Sequence, residues 1–456
     1  MNRSESERAA LPAGFVVCPP RSAEARKSIA RPGSSGTFLV MPARAVDSLT
    51  ASVRVGDRTL ALLISMALAL AVIPEIINFL LVKRPLDASP LESMGTETAL
   101  AGLARWALSG ALLAVASVVM LMRGHPNRHI TRLLVLLVAL NLAYVVGPKL
   151  PGPADFVKIV LANVVILAIW NTGARVAELK WIPIIVSVIA GYSIVGGLLI
   201  PEYMMYNIPS RKAIVLGWEL AGPFGHSNVL GNYCAVAFTL LPLIVGLRWR
   251  LLCGSILLAA ISLSASRTAL MAAGLVLLFW AMCRIQSVVS VRFLGTFVAS
   301  LSLTSMAIVP FLNWNPTSFT GRAEVWAESL DIWQQAPLVG IGFNWYLIDA
   351  QAASEVTVWA FVGTGHNLVI DTLTRHGLVG LAVLAPIWII AIVATRALRA
   401  TNEQMAFFGY LMAFFLAATT EALWDLWPNI SLFPISGLIF TVLVLARDDK
   451  PVEGSS

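Results

Sequence analysis

Apolar segments cover most of this chain, and short polar breaks separate them. Segments 59–82, 99–122, 181–200, 229–247 and 291–312 each approach the roughly 20 residues that cross about 30 Å of hydrocarbon. Shorter or interrupted segments lie at 132–146, 156–171, 251–263, 268–283, 378–395, 405–420 and 428–446. In lipid each must be a helix, because every backbone polar group has to be satisfied within the segment. The pattern predicts an all-α, polytopic membrane bundle of about 12 transmembrane helices over residues 59–446.

The ends and two long connections stand apart from this repeat. Residues 1–58 are rich in Arg, Ser, Ala, Pro and Gly without helical periodicity, which predicts a disordered cytoplasmic tail. Within it, 11–17 is too short for the core of a signal peptide, and Met41 is an alternative start. Residues 447–456 are read as a second cytoplasmic tail. The longest connection, 313–365, is an extracytoplasmic loop inserted in the bundle, and long ordered loops usually carry function. Inside it, 321–335 reads as an amphipathic helix with Val325, Trp326, Leu330 and Trp333 on one face and Glu324, Glu328 and Asp331 elsewhere. Pro337, Gly340 and Gly342 end it, and such a helix could lie at the membrane interface as a lid or shelf.

Composition supports the membrane reading. Hydrophobic residues make up 58% and charged residues 12%, too little polar surface for a water-soluble domain. Roughly two-thirds of the basic residues fall on one side of the predicted spans, so the net charge of +7 is a topology signal and implies no nucleic-acid partner. The four cysteines suggest no disulfide framework, and no Cys/His spacing suggests a metal. The outer face has no Asp-x-Asp, and the chain has no Walker-type loop, so neither a metal nor another cofactor is expected. Glu75 is the most notable acid within the spans, and no series of carboxylates suggests a proton relay.

A few outer-side residues invite chemistry. Arg267, in Ser-Ala-Ser-Arg-Thr, sits at an outer turn; it is either an interfacial anchor or a buried guanidinium among small, close-packing neighbours. Arg322 opens the loop helix, with Trp326 one turn on along the same face. The plain reading is a solvated surface arginine. If it shares a cavity with Arg267, the two forks suit a pyrophosphate. His366 follows Gly363-Thr364-Gly365 where the loop re-enters the membrane, and there it is a general base or an ordinary helix-start histidine. His226 and Asn228 sit at the mouth of another span, in a capping and positioning role, and His376 reads as structural.

Four blocks in this order resemble the O-antigen ligase / O-antigen polymerase superfamily of bacterial envelope glycosyltransferases. They are Gly-Pro-Phe-Gly-His-Ser-Asn-Val-Leu-Gly (222–231), Ser-Ala-Ser-Arg-Thr-Ala (264–269), Thr-Gly-Arg-Ala-Glu-Val-Trp through Pro-Leu-Val-Gly-Ile-Gly-Phe (320–343), and Gly-His-Asn-Leu with Gly-Leu-Val-Gly (365–380). The resemblance implies a C-type glycosyltransferase-like architecture in the bacterial inner membrane, with its active site facing the periplasm or cell exterior. It implies metal-independent, inverting transfer of a glycan from undecaprenyl pyrophosphate to a glycan, lipid or protein acceptor. Arg267 and Arg322 would hold the pyrophosphate and His366 would activate the acceptor hydroxyl; turnover retained without His366 would leave Asp371 or Glu324 as the substitute base to test. His226, Asn228, Trp326 and Asn367 are candidates for positioning substrate. The pair Arg375-His376 departs from the commonest pattern, in which an acidic residue often precedes the glycine, and this bears on local charge and acceptor choice. The competing reading is a polytopic transporter or flippase of lipid-linked glycans.

Overall fold

The computed structural model describes residues 43–82, 97–122, 129–146, 148, 152–173, 175–206, 217–285, 290–342, 344–346, 363–423 and 429–446. By internal contact the chain divides into Met1–Asp47 and Ser48–Ser456. Of the first unit, only 43–47 are described, as the opening of a helix. Met41 and the 447–456 tail lie outside the described residues.

All twelve predicted segments contain helix. They are α1 (Ala43–Leu81), α2 (Ala99–Leu121), α3 (Ile130–Val146), α4 (Pro153–Thr172), α5 (Trp181–Leu199), α7 (Ser227–Thr239), α8 (Leu247–Leu263), α9 (Arg267–Ile285), α10 (Val291–Ile308), α12 (Leu368–Ala397), α13 (Thr401–Ala418) and α14 (Gly437–Val444). The short α6 (Pro201–Met204) and the loop helix α11 (Arg322–Trp333) complete the order. Among the described residues, seven helices are long and apolar enough to cross a bilayer. The protein is a mostly helical, multi-pass membrane protein. A two-residue antiparallel pair, Met205–Tyr206 with Glu219–Leu220, is the exception to all-α among the described residues.

Two predicted boundaries move, and a third segment gains a preceding helical piece. Helix α1 starts at Ala43, inside the stretch 1–58 expected to be a disordered tail. Residues 43–58 contain no Pro and a single Gly and run directly into an apolar span, so each added turn only propagates an existing helix. Segment 229–247 is helical only to Thr239, after which Pro242 forces a short 3-10 turn at Leu241–Leu243. The segment expected at 378–395 is the second piece of a helix broken at Gly377, and the piece before the break, from Leu368, was not expected.

That last helix is two pieces. Gly377, at φ 61° and ψ −161°, breaks α12. The carbonyls of Thr374 and Arg375 accept hydrogen bonds from the backbone N–H groups of Ile341 (2.8 Å) and Gly342 (3.1 Å). The N–H groups of Leu378 and Val379 donate to Pro337 (2.9 Å) and Leu338 (3.0 Å). Residues 337–342 therefore stand in for the missing helical partners, the condition under which irregular backbone survives inside a membrane protein. Side chains are excluded from this crossing: a Cβ on Gly340 would lie 2.4 Å from the Arg375 carbonyl carbon, and one on Gly377 2.4 Å from that of Leu338.

At the centre, α13 is buried on nearly every face, from Ala406 through Phe415. It packs against α10, α9, α7 and α12. A helix that is apolar all round belongs inside a bundle. Its C-terminal end, Thr419 to Glu421, is where the candidate residues gather.

Candidate functional site

Glu421 gathers side chains from three of the four motif blocks. Its Oε1 accepts from the guanidinium of Arg322 through Nη2 and from Asn228 Nδ2 at 3.1 Å. Its Oε2 faces His366 Nδ1 at 3.7 Å. Burial works to raise the Glu421 carboxyl, but the Arg322 charge and the imidazoles of His366 and His226 outweigh it and hold the group below the usual carboxylate range. Glu421 therefore remains ionised beside one cation and two imidazoles.

Each contributor is fixed locally. Arg322 is the first residue of α11, after Phe319, Thr320 and Gly321, which have φ of 52°, 65° and 84°. Two of the three are not glycine, so this turn is strained and must be held by its surroundings. The Phe319 ring packs 5.1 Å from that of Trp326 and 4.9 Å from that of Trp314. Trp326, fully buried with Ala323 against Ile370, anchors α11 on α12. The predicted apolar face of α11 is the buried one, while Glu324, Glu328 and Asp331 are exposed. Arg322 itself is 18% exposed, which does not fit a solvated surface arginine.

His366 has φ 48° and stands just before α12. The next residue, Asn367, is fully buried. Its Oδ1 caps α12 by accepting from Val369 N (2.8 Å) and Ile370 N (3.0 Å), and its Nδ2 donates to Met306 O and Thr419 O, both at 3.0 Å. Asn367, a candidate for positioning substrate, has both ends of its amide bonded to backbone. It ties the His366 turn to a residue two positions from Glu421. Asp371, one of the substitute bases, has a side chain that is 0% exposed and paired with Arg375.

His226 Nδ1 accepts from Asn228 N at 3.0 Å and caps α7. Arg267 is exposed at the start of α9. The turn before it packs tightly on α7: a Cβ on Gly231 would lie 2.6 Å from that of Ser266. Thr268 and Thr420 share a hydrogen bond of 3.0 Å between hydroxyls, which brings the Arg267 turn beside Glu421. Sequence reasoning missed Glu421. The available signal was a carboxylate in the turn between segments 405–420 and 428–446, on the same predicted side as Arg267, Arg322 and His366.

The family model described as O-antigen ligase matches residues 252–385, a stretch that holds Arg267, Arg322, Trp326, His366 and Asn367 but not His226, Asn228 or Glu421. No curated protein matches the chain. The matched stretch also contains the interlock of 337–342 with α12 that carries the His366 turn. The match over residues 252–385 supports an assignment to the O-antigen ligase/polymerase superfamily.

Proposed function

We propose that this protein transfers a glycan from undecaprenyl pyrophosphate to an acceptor hydroxyl, as an O-antigen or exopolysaccharide ligase or polymerase of the bacterial inner membrane. The observation that carries the reading is the meeting of Arg322 and His366, 44 positions apart in sequence, on the single carboxylate of Glu421. Arg248, Arg250, Arg284, Arg292 and Arg396 lie toward the opposite ends of their helices, which supports an outward-facing site.

The chemistry follows from the positions. With Nδ1 enclosed against Glu421, His366 offers Nε2 to the acceptor hydroxyl. As that oxygen attacks the anomeric carbon from the far face, His366 takes its proton. The bond from sugar to pyrophosphate oxygen breaks, and the configuration inverts. Glu421 stabilises the imidazolium, much as a carboxylate supports a catalytic histidine elsewhere. The departing lipid pyrophosphate gains negative charge, which Arg267 and the remaining donors of Arg322 stabilise most in the transition state. Arg322 can serve both partners because a guanidinium has five N–H donors and Glu421 engages one terminal nitrogen. These cations supply the charge that a metal supplies in other glycosyl transfers.

The test is transfer by purified, full-length protein supplied with lipid-linked glycan and acceptor, with chelator present and no nucleotide. A new glycosidic product supports the reading. Movement of donor across vesicles without product would favour a flippase. Deleting the gene separates the two enzymes: single-repeat decoration of the surface indicates a lost polymerase, and accumulated lipid-linked polymer a lost ligase.

A further inference from the structure

His366 sits in a left-handed conformation that is strained for a non-glycine residue, so something outside the turn must impose it. Two side chains of α12 reach back to do so. Asp371 Oδ1 accepts from the N–H of Gly365 at 2.7 Å, and Arg375 Nη2 donates to the carbonyl of Gly363 at 3.2 Å. The two are themselves an ion pair, Arg375 Nε to Asp371 Oδ2 at 3.1 Å, with side chains 4% and 0% exposed. A buried pair of this kind seldom adds stability over apolar packing, so its presence calls for another reason.

The network continues to the other half of the site. The Arg375 guanidinium lies 5.2 Å from the centre of the Tyr346 ring, and the Tyr346 hydroxyl donates to Ser329 Oγ at 2.9 Å. Ser329 lies on α11, two turns beyond Arg322. Burial, with the Asp371 charge beside it, pushes the Tyr346 phenol well above its usual range, so it stays a donor. Gly365 has no room for a side chain, because a Cβ would meet the Tyr346 hydroxyl at 2.8 Å.

We propose that Asp371 and Arg375 are positioning residues that fix the His366 imidazole relative to Arg322 and Glu421. The proposal rests on reading His366 as the base. It also gives Arg375 a role, as the partner of Asp371 and the clamp on Gly363.

The test compares full-length wild type, Asp371→Asn and Arg375→Lys. Asp371→Asn keeps an acceptor for Gly365 but removes the charge; Arg375→Lys keeps the charge but cannot span Asp371 and Gly363 together. One readout is kcat and KM for lipid-linked glycan. The other is the rate of His366 modification by diethyl pyrocarbonate without substrate, located by mass spectrometry. A displaced base should lower kcat by about 10²-fold, with KM nearly unchanged because Arg267 and Arg322 are intact. His366 should be modified faster, with His129 and His226 unaffected. Wild-type kcat and His366 reactivity in both variants would overturn the proposal, and so would loss of donor binding in step with kcat. If Asp371→Asn fails to fold, Arg375→Lys carries the same two readouts. Altered His366 reactivity in a protein whose wild type makes no glycosidic product would leave the positioning intact and sink the transfer reaction.

Discussion

Arg322 and Glu421 are 99 positions apart and joined as an ion pair with side chains 18% and 16% exposed. One opens the loop helix α11; the other ends the turn after α13. The pair fastens the loop that follows α10 to the end of the largely buried helix α13, and His366 and Asn228 meet on the same carboxylate.

Replacing Arg322 with Ala should lower glycan transfer by about two to three powers of ten, the usual cost of losing one charged contact to the transition state. Arg322→Lys should recover little, because a point charge cannot serve Glu421 and a pyrophosphate together. Turnover assays on purified protein check both; wild-type turnover in Arg322→Ala would remove this arginine from the mechanism.

Arg267→Ala should produce a loss of about the same size. Its side chain is exposed, so the thermal midpoint in detergent should stay near that of the wild type. A matching fall in midpoint would reassign Arg267 to structure.

His366→Ala should abolish turnover while leaving binding of lipid-linked glycan in place, as measured by protection of the donor in a pull-down. Asp371 is buried against Arg375, so retained turnover would point to Glu324, which is exposed in the first turn of α11.

Glu421→Gln should leave an acceptor for Asn228 but remove the charge facing His366. About a tenfold to hundredfold loss of kcat is expected. It should also change acid stability. The folded carboxyl is held below its ordinary value, so its contribution is present from neutral pH down to about 4.3 and is lost as pH falls through the folded value. The wild-type thermal midpoint should fall in that acid window more steeply than that of Glu421→Gln. Parallel curves would show that Glu421 is not held this way.

Gly377→Ala and Gly340→Ala should each cost most of the folded protein, because both need positive φ and face backbone where a Cβ would sit. Gly274→Ala is the control: a Cβ there meets nothing within 4 Å, and expression should be unchanged. Yield after size-exclusion chromatography distinguishes these outcomes.

Much of the fold was legible along the chain. Segment lengths fixed by bilayer thickness gave the helices, and the apolar face of α11 followed from Val325, Trp326 and Leu330. Arg267, Arg322 and His366 could be named because charge at the edge of apolar spans is sparse. What sequence could not supply was the meeting point. Glu421 is an unremarkable carboxylate after an apolar helix until α13 is seen to be central, with α7, α9, α10 and α12 packed around it.

Local sequence dictates local structure, because hydropathy, caps and glycine conformations depend on neighbours in the chain. It determined a polytopic helical membrane protein with an amphipathic loop helix and a short set of candidate residues. Tertiary packing decided the rest: that Asn367 staples backbone, that Asp371 is clamped by Arg375, and that Arg322 and His366 face one carboxylate. Such pairings depend on which helices adjoin, and contacts between residues dozens of positions apart leave no periodic trace along the chain.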